Sequence, residues 1–244
     1  MKTQNPVAIV TGAGRRLGKH IALALASNGY DVVVNYNNSR KGAERAVKNI
    51  EEIGQKVTPL KADVSRKGEV DRMVKRTWQI FGRVDLLINN AAVFIECKIP
   101  NISEKQWDTT IDINLKGVFL CSQAVIPYFL KQKFGDIINI ASLGGIQAWK
   151  EHLPYSVSKA GVIMLTKCLA KTLGPNHRVN AIAPGTIFLK GEKVVKTKHI
   201  PAEKIPLKKY GIPSDITDAV LYLSTKAPYM TGQVLVIDGG RSIQ

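Results

Sequence analysis

Tyr155 and Lys159 stand four residues apart, and Ser142 precedes the tyrosine by 13. On a helix that i,i+4 spacing places a titratable phenol and an ammonium on one face. Such a pair could exchange protons with a bound molecule. Ser142 ends an apolar run, at the strand end where open α/β sheets form their ligand crevice. Tyr–Lys pairs at this spacing are also common on solvated helix surfaces, so the pair gains meaning only from its surroundings.

Other residues point to an anion. The segment TGAGRRLG at 11–18 follows the first apolar run and leads into a helical pattern. Such a turn lets backbone approach a pyrophosphate, while the helix N-terminus offers unpaired N–H donors and positive charge. Tight strand–helix turns also use glycine for purely structural reasons. The second apolar run ends in Asn35, Tyr36, Asn37, Asn38, Ser39 and Arg40, with no carboxylate between Val32 and Ala43. An NAD site usually places an acid here on the ribose 2′-hydroxyl, whereas an NADP site needs that acid absent and cations near. Arg15, Arg16 and Arg40 are available, and a guanidinium can bind a 2′-phosphate through paired hydrogen bonds. The alternative is a solvated basic loop.

The elements that must position these residues read as alternating strands and helices. Strands are predicted over 7–10, 31–35, 56–62, 84–91, 136–141, 178–183 and 234–238. Helices are predicted over 18–28, 41–53, 70–81, 103–133, 155–173 and 214–223. Short apolar strands joined through helices require parallel pairing with both sheet faces covered. The expectation is one α/β domain over all 244 residues: a doubly wound parallel sheet of Rossmann type, with no internal repeat or linker.

Composition is globular, with 45% hydrophobic and 22% charged residues. Cys97, Cys121 and Cys168 are isolated, which suggests buried reduced thiols and no metal site. Glycine interrupts the N-terminus before a signal-length apolar run develops, and no run approaches roughly 18 apolar residues. A cytoplasmic protein without membrane association is expected. The net charge of +16 should attract anions: a phosphorylated cofactor, an acidic protein or nucleic acid. Nucleic acid is disfavoured, because the lysines lack interleaved aromatics and a binding motif.

Taken together, the chain resembles the short-chain dehydrogenase/reductases from about Pro6 to Gly240. The resemblance rests on Thr11-Gly12 with Gly18, Asp63-Val64, Asn89-Asn90-Ala91, Asn114, Ser142, Tyr155 with Lys159, Pro184-Gly185, Thr231-Gly232 and Asp238-Gly239-Gly240. It implies a catalytic set of Asn114, Ser142, Tyr155 and Lys159. Tyr155 would protonate a carbonyl oxygen as hydride arrives, or deprotonate the alcohol in reverse. A free phenol, with pKa about 10, is a poor base. Lys159 would favour the phenolate by roughly 1–3 pKa units and hold the nicotinamide ribose. Ser142 would orient the substrate oxygen, and Asn114 would hold a water relaying protons to Lys159. The implied NADP(H) contacts are Gly12, Arg15, Arg16, Leu17 and Gly18, then Asn35, Tyr36, Asn37, Ser39 and Arg40. Asp63 (toward the adenine) and Val64, Asn90 with Ala91 and Ala92, and Pro184, Gly185, Thr186 and Ile187 beside the nicotinamide complete the set.

Two departures stand out. Arg16 replaces the middle glycine of the usual TGxxxGxG, a variant resembling the NADP-specific pteridine reductases, although those carry an acid where this chain has Ser142. Ala92 stands where glycine is commoner. A short substrate lid is expected over 186–210, with seven lysines against Glu192 and Glu203, or +5 in 25 residues. Such a lid suits an anionic or carrier-tethered substrate, such as a β-ketoacyl thioester on an acidic acyl carrier protein; it also fits a solvated lysine face. The leading expectation is an NADPH-dependent carbonyl reductase resembling the β-ketoacyl-carrier-protein reductases. Its rivals are a pteridine, small-ketone or sugar reductase and a cofactor-binding regulator without catalysis. The resemblance also implies a homotetramer built on helices 103–133 and 155–173.

Overall fold

Runs of β-branched residues form the strands, and the computed structural model, which describes residues 5–189 and 200–243, pairs every one in parallel. The strands are β1 Val7–Val10, β2 Asp31–Tyr36, β3 Val57–Lys61, β4 Leu86–Asn89, β5 Asp136–Ile140, β6 Arg178–Pro184 and β7 Val234–Ile237. Their order is β3-β2-β1-β4-β5-β6-β7. From the β3 edge the chain returns across β1 to form β4, so the winding reverses between β1 and β4. A crevice opens at the carboxyl ends of the strands at such a switch point.

The pleat sends alternate residues to opposite faces. Val10, Val32, Leu86 and Ile88 pack with Ile21 and Leu25 of α1 (Arg16–Ser27) and Val220 of α7 (Pro213–Thr225). Ile9, Val33, Leu87 and Ile137 face the other way, onto Met73 of α3 (Lys67–Phe81) and Val125 and Phe129 of α5 (Gly117–Gln132). Helix α2 (Arg40–Ile53) joins the first layer, α6 (Leu153–Leu173) the second. Pro59 is tolerated in β3 because that strand is an edge.

Three expectations are corrected. The helix expected over 103–133 is not uniform. It runs as α4 (Glu104–Ile111), a π-turn at Asp112–Lys116 and then α5. The start holds as expected: Ser103 Oγ accepts from the Gln106 N–H, and Gln106 Oε1 accepts from the Ser103 N–H. The π-turn carries Asn114 inward, and such turns recur at functional sites. Second, the stretch 104–132 is long and apolar enough by composition to cross a membrane, with 44% of its most apolar window buried. Val118, Leu120, Cys121, Val125 and Phe129 lie in the core. Third, Cys97 and Cys121 are buried as expected, but Cys168 is exposed on α6.

Candidate active site

One cleft of about 1120 Å³ opens at the carboxyl ends of β1, β4, β5 and β6. That exceeds the usual range for one small ligand, roughly 300–1,000 Å³, and leaves room for a dinucleotide beside a substrate. Of the residues selected from sequence, Gly12, Arg15, Arg16, Leu17, Gly18, Asn35, Asn37, Ser39, Asp63, Val64, Asn90, Ala91 and Ala92 line it. Ser142, Tyr155, Lys159, Pro184, Gly185, Thr186 and Ile187 line it as well. Tyr36, Arg40 and Asn114 do not.

The glycine turn forms the floor. Gly12 has φ +65°, and a Cβ on Gly18 would collide with Asn90 Nδ2 and the Gly12 carbonyl. Arg16, in place of the usual glycine, has φ +50°. This left-handed conformation costs a residue with a side chain roughly 1–2 kcal/mol, which explains the common glycine. The turn is clamped from both sides. The Asn90 and Ala91 N–H groups donate to Thr11 Oγ1 at 2.9 and 3.0 Å, and Asn90 Nδ2 donates to the Thr11 carbonyl at 2.8 Å. Asn35 Oδ1 accepts from the Gly12 N–H, while its Nδ2 donates to the Leu60 and Ala62 carbonyls. Asn35 therefore braces the floor with every polar atom of its amide. Arg15 and Arg16 lie exposed at the N-terminus of α1, which has no acid in its first turn. A glycine floor that a side chain would fill, beside a cationic helix N-terminus, fits a dinucleotide pyrophosphate.

At the far rim the three candidate contacts diverge. Asn37 hydrogen-bonds Asp63, whose Oδ1 also accepts from the Ser65 N–H and hydroxyl. Burial opposes that carboxylate, yet these hydrogen bonds and nearby Arg66 hold its pKa below the usual value. Arg40 instead points to solvent on α2 and pairs with Glu44 at 2.9 Å, one turn on. Tyr36 packs against the core.

Ser142, Tyr155 and Lys159 converge where β5 ends and α6 begins. Pro154 opens α6, where its missing N–H costs nothing. Ser142 Oγ accepts from the Gly144 N–H at 3.1 Å and hydrogen-bonds the Tyr155 hydroxyl. Lys159 is buried and donates to the Ile140 carbonyl at 2.6 Å, with Nζ 5.8 Å from the Tyr155 ring centre. Burial lowers the lysine pKa to about 8. Lys159 Nζ is turned to the Ile140 carbonyl in this cleft. Burial raises the Tyr155 pKa, and only the Ser142 hydrogen bond opposes it. Asn114 is buried behind the cleft, and its amide bonds the β4 loop and α6. Oδ1 accepts from the Val93 N–H at 2.8 Å, and Nδ2 donates to the Val93 carbonyl and Ser158 Oγ. Ser158 in turn donates to the Tyr155 carbonyl. The side chain ties the β4 loop to the tyrosine, and Oδ1 keeps one lone pair free of the bonds named here.

An aromatic wall was missed from sequence. Phe94 stacks on His152 at 4.0 Å and meets Tyr155 edge-on at 4.7 Å. Trp149 stacks on Tyr155 at 6.1 Å, and the Arg241 guanidinium lies over Trp149 at 5.3 Å. The only available signal was aromatic content near Tyr155. Of the lid, Leu189 and Ile200 line the cleft, and the Phe188 N–H donates to the Gly211 carbonyl. Lys190, Lys193, Lys196 and Lys198 lie outside the described residues. Lys204, Lys208 and Lys209 are exposed. No metal-ligating cluster occurs among the described residues.

A family model described as enoyl-(acyl carrier protein) reductase matches residues 12–242. The chain is 42% identical to the 3-oxoacyl-[acyl-carrier-protein] reductase FabG of Staphylococcus epidermidis over 240 residues, 97% of this chain and 98% of the relative. It is 38% identical to the Thermotoga maritima reductase of the same name over 244 residues, 98% and 99% of the two chains. The crystal structure of acetoin dehydrogenase YohF from Salmonella typhimurium superposes with a TM-score of 0.89 at 31% identity, covering 98% of this chain and 96% of that one. With the parallel sheet, the glycine floor and the Ser–Tyr–Lys cluster in one cleft, these matches place the chain in the short-chain dehydrogenase/reductase family of oxidoreductases.

Proposed function

We propose that the protein is an NADPH-dependent carbonyl reductase, with 3-oxoacyl thioesters as the leading substrates. The observation that carries this reading is the convergence of Ser142, Tyr155 and Lys159 beside a glycine-floored cleft long enough for a dinucleotide. Names of relatives 38% and 42% identical over nearly the whole chain support the thioester.

The cofactor supplies a hydride when bound; the chain supplies the rest. Arg15 and Arg16 hold a 2′-phosphate at the mouth of α1, while Arg40 stands off the cleft lining, beside Glu44. Lys159 uses one of three N–H donors on Ile140 and turns the others to the nicotinamide ribose. Ser142, its lone pair engaged by the Gly144 N–H, donates to the substrate oxygen. Tyr155 gives its phenolic proton to that oxygen during reduction. A phenol held above its ordinary pKa stays protonated at neutral pH, which suits the reductive direction. Asn114 acts as a positioning residue, through Val93 and Ser158.

The same reading assigns the protein to the cytoplasm and to a homotetramer built on α4–α5 and α6, whose Phe119, Val157 and Met164 are 42%, 43% and 57% exposed. The test is NADPH oxidation across acetoacetyl thioesters, pterins, diketones and sugars. Thioesters should give the highest kcat/KM. Turnover of pterins or sugars in preference to every thioester would overturn the substrate, and no turnover with tight NADPH binding would overturn the reductase.

A further inference from the structure

The cleft holds a cation that the chemistry above does not use. Arg241 stands on its wall, half-buried, with Nη1 donating to Thr186 Oγ1 at 3.2 Å and its guanidinium over the Trp149 ring. Two main-chain bonds fix its position: its N–H donates to the Asp238 carbonyl, and its carbonyl accepts from Gln147 Nε2. The nearest acid in sequence, Asp238, spends its carboxylate oxygens on the N–H groups of Gly240 and Ser242. No carboxylate lies within ion-pair distance of Arg241 among the described residues. Of its five donors, one is used among the described residues. Burial lowers the Arg241 pKa and the more distant Asp238 carboxylate only partly offsets it, so an anion at the free donors would be favoured.

Its distance from the chemistry limits the ligand. Arg241 lies 5.3 Å from the Trp149 ring, and Trp149 lies 6.1 Å from the Tyr155 ring. The guanidinium is therefore no farther from Tyr155 than those two separations laid end to end. A carrier protein's phosphodiester sits a full pantetheine arm from its thioester, too far to be this anion when the carbonyl meets Tyr155. A counter-charge on the substrate then belongs to its reacting half, and the NADPH Kd of Arg241→Gln separates this from a contact to the cofactor's phosphates. Phe94, 55% exposed and edge-on to Tyr155, offers an apolar flank for a short carbon skeleton.

We propose that Arg241 is a specificity-determining residue that binds an anionic group a few bonds from the reduced carbonyl, so that among small ketones outside the thioester class those carrying a carboxylate or phosphate there are favoured over their neutral counterparts. This rests on the carbonyl-reductase reading but not on the thioester. A carboxylate matches the planar fork of the guanidinium, and a phosphate would use the same donors.

The test compares ketones that differ only in charge: acetoacetate against its ethyl ester, 4-oxopentanoate against its ethyl ester, and hydroxyacetone phosphate against hydroxyacetone. The neutral N-acetylcysteamine thioester of acetoacetate serves as reference. Wild-type enzyme should favour the charged member by at least tenfold in kcat/KM, and the first two pairs against the third separate carboxylate from phosphate. Arg241→Gln should remove that preference while leaving the neutral ketones, the NADPH Kd and the melting temperature unchanged. Arg241→Lys should restore part of it. Three results overturn the inference: no charge preference in wild type, equal slowing of charged and neutral ketones, or a weakened NADPH Kd in step with activity. Reduction of the thioester without any charge preference removes the inference and leaves the reductase. Failure to reduce any ketone removes both.

Discussion

The floor of the cleft and its aromatic wall are built on different principles. On the floor, Thr11, Asn35 and Asn90 tie three loops together through at least seven hydrogen bonds of 2.8–3.2 Å. On the wall the side chains make few. Phe94, Trp149, His152 and Arg241 meet through ring faces and edges, and their side chains add one bond from His152 to the Ile95 carbonyl and one from Arg241 to Thr186, while main-chain bonds hold His152 and Arg241 in place. Among the described residues, Trp149 Nε1 and Ser156 Oγ are buried without hydrogen-bond partners. A hydrogen-bonded floor fixes one geometry and suits an invariant cofactor. Ring contacts tolerate exchange of side chains at modest cost, which suits a wall that sets substrate choice.

Tyr155 belongs to both regions, bonded to Ser142 and packed on Phe94. Tyr155→Phe keeps the ring contacts and removes the transferable proton. Turnover should fall by about 10²–10⁴-fold with NADPH binding nearly unchanged, as read by steady-state kinetics and fluorescence titration. Retention of more than about a tenth of wild-type kcat would show that another group supplies the proton.

The same contrast explains what could be read from sequence. Gly12, Gly18, Asn90, Ser142, Tyr155 and Lys159 sit at fixed spacings because each meets a constraint local to a strand end or helix turn. All of them reach the cleft. Every strand was placed to within two residues of its ends, because β-branched runs announce themselves. The wall was illegible, since Phe94, Trp149 and Arg241 come together only through tertiary folding. Arg40 reads as a cofactor contact from its place after β2, yet Glu44, one turn along α2, pairs with it at the surface. Asn114 was found, but its bonds to Val93 and Ser158 depend on a π-turn that no periodicity marks.

On the floor, the arginine pair should set cofactor choice. NADPH should be preferred over NADH by at least tenfold, about 1.4 kcal/mol. Changing Arg15 and Arg16 together to glutamine should erase most of that preference while sparing NADH. Equal weakening of both cofactors, measured as Kd, would assign the arginines to the shared pyrophosphate. The preference would then arise elsewhere.

Lys159 marks a place where the floor is organised at the expense of stability. Its native pKa of about 8 lies below the ordinary 10.5, so between those values the unfolded chain binds more protons and stability rises with pH. Below pH 8 the full penalty is present, on the order of 3 kcal/mol. Lys159→Met removes that penalty but leaves the Ile140 carbonyl without its donor, costing about 1 kcal/mol. The inactive variant should therefore be more stable than wild type by about 1–2 kcal/mol at pH 7. The gain should shrink toward pH 10.5. Urea melts without cofactor at pH 7 and pH 10 measure both. A variant less stable than wild type at pH 7 would mean that burial does not strain the ammonium.

The smallest effect is expected from the segment 186–210, whose sequence carries an excess of lysines. If those charges meet an acidic carrier, they act on encounter before any group reaches Tyr155. Replacing Lys190, Lys193, Lys196 and Lys198 with glutamine should then lower kcat/KM for carrier-linked substrate by roughly three- to tenfold and leave kcat unchanged. A short thioester mimic, which has no acidic surface, should be indifferent. Salt gives a second reading of the same charges, because the Debye length falls from about 10 Å at 0.1 M to about 3 Å at 1 M. The wild-type advantage of carrier-linked over free thioester should shrink across that range, and the quadruple variant should show little advantage to lose. A lysine face that merely solvates the protein predicts parallel responses of both substrates at every salt concentration. That result would confine substrate recognition to the wall itself, where Arg241 is a charged reader.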